Sequence, residues 1–218
     1  ELADVYLSSI GVDIKTLSDI FLNSSNGTVT IDSLAEGIIT AGSITMENAV
    51  DSKKHAKEAV KAFDDYGALL IGQGVTNANQ IATFYGVLSR MCQIAVLMAY
   101  ADIGPNGDGD GRITKTDICS TIACGISGTI CIDSLVSCGG MDNADALEAA
   151  NALYSIKNEL ATLGLGNLQK AVDSMASKII PLPPTFLTSG SILSFFTDPA
   201  LETYRADAGR ELLREIAR

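Results

Sequence analysis

Apolar residues recur at helical spacing along almost the whole chain, and no stretch alternates apolar with polar at period two. A half-buried strand needs that alternation, so the sequence is confined to an all-α fold, a multi-helix orthogonal or bundle-like array. The spacing predicts an N-terminal helix near 2–22, long helices over 45–72, 77–101 and 141–163, and shorter ones over 30–40, 114–124, 131–138, 167–179 and 190–197. A last helix takes Asp198 as N-cap and Pro199 at its first position, with an apolar stripe of Leu201, Tyr204, Ala208, Leu212 and Ile216. Between these, Pro181, Pro183 and Pro184 break helix and predict an extended crossing. With 218 residues, 47% of them hydrophobic, the chain can bury a full core. The stretch Ile81–Tyr100 is apolar enough to raise a membrane span, but Arg90 at its middle, beside Ser89 and Gln93, would be costly in lipid. It is expected to be a buried central helix.

The segment Asn106-Gly-Asp-Gly-Asp-Gly-Arg-Ile-Thr-Lys-Thr-Asp117 has the spacing of a calcium loop of EF-hand or dockerin type. Asn106, Asp108 and Asp110 fall at positions 1, 3 and 5, Gly111 at the sharp turn, the Arg112 carbonyl at 7, Thr114 at 9 and Asp117 at 12. A hard cation needs converging oxygens, and this spacing wraps them round one point. Asn at the first position and Asp at the last leave three carboxylates and a short final ligand, so weak calcium binding is expected. The competing reading needs no metal: a Gly/Asp turn followed by a helix capped at Thr114, with Asp117 three residues on. The second half of the loop recurs at Gly27–Leu34, Gly42–Ala49 and Gly128–Leu135 without its acids, which favours a turn-to-helix device. With the copy at Gly111 these form two pairs, 27/42 and 111/128, each followed by a long helical stretch, 45–72 and 141–163, and predict two distantly similar helical halves. The expected division is 1–101, 102–140 and 141–218.

Four cysteines, Cys119, Cys124, Cys131 and Cys138, lie on a helix–turn–helix segment. Nesting Cys124–Cys131 inside Cys119–Cys138 would staple a helical hairpin, although sequence leaves all three connectivities open. Such bonds would imply an oxidising compartment. With no C-x-x-C pair and no histidine nearby, zinc is not expected. A formal charge of -11 argues against nucleic acid and anionic membrane surfaces, and the lack of tryptophan removes stacking platforms. Asn23-Ser-Ser and Asn26-Gly-Thr are glycosylation triplets of little weight. The first residue is Glu1, so a processed or trimmed chain is expected.

His55 is the single histidine, set among charges in Asp51-Ser-Lys-Lys-His-Ala-Lys, which reads first as a solvated surface residue and second as a cofactor or pigment ligand. One histidine leaves little for acid–base work, and no G-x-S-x-G, Walker loop or H-E-x-x-H occurs. No enzyme is expected.

Two segments resemble the soluble peridinin–chlorophyll proteins of algae, all-helical light-harvesting proteins with pigments held inside a helical shell. One is Gly74-Val-Thr-Asn-Ala-Asn-Gln-Ile-Ala-Thr-Phe-Tyr-Gly-Val-Leu-Ser-Arg90; the other runs from Val172-Asp-Ser-Met-Ala through Pro181 and Leu187 to Ser194-Phe-Phe and a closing helix. The resemblance implies a helical fold and a plastid location, thylakoid-associated or lumenal. It implies binding of chlorophyll or carotenoid, with His55 as pigment ligand although it lies earlier on its helix than the family's histidine. The loop and hairpin at 102–140 would be an insertion. The function it implies is a non-enzymatic scaffold subunit packed against antenna or photosystem proteins, associated with a membrane complex but not crossing the membrane. The alternative from the residues alone is a secreted, calcium-binding, disulfide-stapled helical module.

Overall fold

The computed structural model describes residues 2–13, 15, 31–40, 43–104, 107–114 and 143–162. Five helices run through them: α1 (Leu2–Ser9), α2 (Ile31–Thr40), α3 (Ala49–Gly72), α4 (Ala78–Ile103) and α5 (Asn143–Thr162). No strand occurs among the described residues, as the helical spacing requires. The expected helices at 114–124, 131–138, 167–179, 190–197 and beyond Asp198 lie outside them.

α4 is the centre. Nearly every residue from Gly86 to Ile103 is buried, with Val87, Ile94, Ala95, Val96, Met98, Ala99 and Ala101 at 0% exposure. A helix apolar on all sides is stable only when other helices enclose it, and α2, α3 and α5 pack against this one. By length and composition α4 could cross a membrane, yet most of it is covered by its own protein, as expected for a core helix. Small residues set how closely the neighbours approach. An added Cβ on Gly67 of α3 would come within 2.6 Å of the Ala82 Cβ on α4, so that crossing excludes larger side chains. α5 contributes Ala146, Ala149, Ala152, Leu153 and Ile156 to the same core that holds Leu7 and Ile10 near the N-terminus.

The first helix ends earlier than its apolar period suggests. Gly11 sits at φ +71°, Val12 N–H donates to the Leu7 carbonyl at 3.0 Å, and Gly11 N–H to Ser8 at 3.0 Å. This is a Schellman ending, with buried Val12 as its hydrophobic partner. An added Cβ on Gly11 would also collide with Ser43. α3 closes the same way, through Gly74 at φ +67° and Val75 N–H to Leu70 at 3.1 Å. α3 begins at Ala49, later than the expected 45, and the residue at its N-cap position is Asn48. Its side chain accepts from Thr45 N–H at 2.7 Å and donates to the Ser43 carbonyl at 3.0 Å, which folds the 43–48 turn before the helix begins.

Candidate functional site

Three places bring chemistry-bearing side chains together. The first is the loop leaving α4. Asp108 and Asp110, both predicted ligands, converge with Asp102, which the loop spacing did not include. One carboxylate oxygen from each lies within 4.8 Å of the others. Asp102 is fully buried in the last turn of α4, where the carbonyl end of the helix dipole already disfavours negative charge. The backbone folds back on it: Gly109 N–H donates to the Asp102 carbonyl at 3.0 Å and Gly111 N–H to its Oδ2 at 3.2 Å. Gly107 packs directly on the Asp102 backbone, while Gly109 and Gly111 hold φ of +68° and +81°. Asp108 Oδ1 accepts from Asp110 N–H and Asp110 Oδ1 from Arg112 N–H at 2.8 Å, two side-chain turns that shape the loop. Ile113, at 0% exposure, anchors it, with its N–H donating to Glu36 of α2 at 3.4 Å. Three carboxylates at this separation repel one another, and a hard divalent cation would offset both that repulsion and the dipole. The Arg112 side chain points to solvent and Thr114 is half-buried. Asn106 and Asp117 lie outside the described residues, as do Cys119, Cys124, Cys131 and Cys138. Cys92 is a free, buried thiol, pushed by burial up to about 12.

The second place is His55. It is half-buried: its Nδ1 lies 2.7 Å from Ser9 Oγ and its ring 5.8 Å from that of Tyr6. Ser9 Oγ spends its one proton on the Tyr6 carbonyl at 2.6 Å. In the tautomer that carries its proton on Nδ1 the ring donates to Ser9, which leaves the lone pair on Nε2. This is the arrangement that orients a metal-ligating imidazole from behind. Along α1, Leu2 and Val5 fall by helical spacing on the side that carries Ser9, and they are 61% and 63% exposed.

The third is a polar seam between α3, α4 and α5. At one end Lys53 Nζ meets both Asp145 oxygens, at 2.6 and 2.7 Å, and stands 3.9 Å over the Tyr100 ring. Next, Glu148 takes Lys57 at 3.1 Å and Gln93 at 2.5 Å. At the far end Arg90 binds Asp64 at 2.9 Å and Glu159 at 3.2 Å. α3 and α5 thus run in one direction and α4 in the other. The first two tiers join an α5 carboxylate to a cation of α3, fixing the register of helices whose alanine-rich faces alone would let them slide.

Known protein families, curated proteins and solved structures were compared with the chain, and none matches it.

Proposed function

We propose that this protein is a non-enzymatic scaffold subunit of an algal photosynthetic antenna assembly, located in the plastid at the thylakoid, and that it carries chlorophyll at His55. The observation that carries the reading is the Ser9–His55 pair. An imidazole held through Nδ1 by Ser9 would offer its Nε2 as the ligand to a metal tetrapyrrole. The exposed Leu2 and Val5, on the side of α1 that carries Ser9, would cover part of an apolar macrocycle. When bound, the pigment supplies light absorption; the chain orients it and shields one face. Partner contact is assigned to the end of α3, where Tyr66, Leu69, Ile71 and Val75 are 39–54% exposed. The likeness of 74–90 to the peridinin–chlorophyll proteins supports the same reading, as do the two helical halves expected from the repeated turn. On this reading the protein purifies under native conditions with chlorophyll-binding antenna or photosystem subunits, and a Tyr66→Lys, Leu69→Lys variant loses them. Recovery alone, from outside the plastid, would defeat it.

A second reading is favoured by the convergence of Asp102, Asp108 and Asp110: a secreted calcium-binding module. A hairpin stapled by Cys119–Cys138 and Cys124–Cys131 is compatible with either, and would contribute on the order of 2–4 kcal/mol, mostly local to the hairpin. Non-reducing peptide mapping of native protein should recover those two linked pairs. Four free thiols would remove the staple and the oxidising compartment with it.

A further inference from the structure

Arg90 lies midway along the central helix and serves two carboxylates from different helices. Its Nη2 binds Asp64 on α3 at 2.9 Å and its Nη1 binds Glu159 Oε1 on α5 at 3.2 Å, while Nη1 also donates to the Gly86 carbonyl at 3.2 Å. One cation therefore faces two anions. The second oxygen of Glu159, Oε2, is buried and accepts no hydrogen bond among the described residues. It is pressed against Gly86, where an added Cβ would stand 3.1 Å from Oε2, 3.2 Å from Oε1 and 3.0 Å from Arg90 Nη1. Glycine at this position is what lets the carboxyl reach the α4 backbone. A bare anionic oxygen in such a place is costly, and a proton on it removes the cost and leaves Arg90 matched by Asp64 alone.

We propose that Glu159 is a proton-operated latch: protonated, it holds the second half of α5 against α4, and on ionisation it loosens that half.

The charged groups that act on it among the described residues are Arg90 of α4 and Asp64 of α3. Burial raises the Glu159 carboxyl most, Arg90 opposes the rise, Asp64 adds to it, and the result is about 7. Because the folded value stands above the free one, the stabilisation is complete below the ordinary carboxylate range and is lost as pH rises through neutrality. The other two tiers of the seam keep their cation–carboxylate pairs, so the loosening is confined to the α5 end that carries Glu159. This latch is independent of whether pigment or cation binds.

Hydrogen exchange of the full-length chain tests it, with rates corrected for the intrinsic dependence on pH. Between about pH 5.5 and about pH 8.5 the protection of amides in 152–160 should fall by roughly 10–100-fold, a span reduced from the full linkage because water reaches part of the site. The Glu159→Gln variant should keep its protection across the range. Asp64→Asn, on an exposed residue that does not threaten folding, should move the wild-type midpoint to lower pH. Protection of 152–160 that is indifferent to pH in the wild type would overturn the latch, as would an equal fall in Glu159→Gln or a midpoint that Asp64→Asn leaves in place.

Discussion

Arg90→Leu should cost the chain about 2–4 kcal/mol of stability near pH 8, below the usual upper range for breaking a buried pair because Asp64 is half exposed and screened. Two carboxylates lose their shared cation at once, and one of them, Glu159, has a side chain only 23% exposed. The loss should depend on pH in a defined direction. Arg90 holds the Glu159 carboxyl down, so its removal raises a group that already stands near 7 and extends the destabilisation to higher pH. Near pH 5.5 Glu159 is mostly protonated in both proteins and the difference should shrink toward the loss of the Arg90–Asp64 pair alone. Urea unfolding of the two proteins at both pH values measures this. A cost that is equal at the two, or larger at the lower one, contradicts the assigned geometry.

The second large effect lies at Asp102, and its sign should reverse with calcium. Without the ion, Asp102→Asn relieves three-way repulsion and a buried charge at the wrong end of a helix dipole, so the variant should be the more stable protein. Asparagine can still accept the Gly111 N–H, which keeps the turn. With calcium at about 100 times its dissociation constant the wild type should gain about 2.7 kcal/mol, and the variant should not. Thermal unfolding of both proteins, with chelator and with calcium, gives the four values needed. If calcium leaves the wild type unmoved at millimolar concentration, the 102–114 loop is a turn and nothing more.

Much of the fold could be read from spacing, because α2 to α5 are set by which residues must be covered. The period of Ile81–Tyr100 and its interruption at Arg90 already describe α4, and the end of α3 is written in Gly74-Val75. The early end of α1 is written just as plainly in Gly11-Val12. There the apolar period runs on past the glycine and masks the stop. Asp102 escaped the loop reading because a template that begins at Asn106 does not look back into the helix. The signal was a lone acid in Met98-Ala-Tyr-Ala-Asp102, a charge with no apolar reason to be there. His55 and Ser9 are 46 residues apart, and Lys53 and Asp145 are 92. No local pattern carries such pairings. Charges such as Lys53 and Glu159 read as solvated helix faces until a neighbouring helix covers them.

The central claim is that His55 Nε2 holds a tetrapyrrole, and the absorption spectrum of natively purified protein tests it most directly. Red and blue chlorophyll bands are expected in stoichiometric amount, retained by His55→Asn weakly or not at all and weakened by Ser9→Ala, which frees the ring from its orienting hydrogen bond. A colourless protein, or a pigment that stays at full occupancy in His55→Leu, would contradict the account.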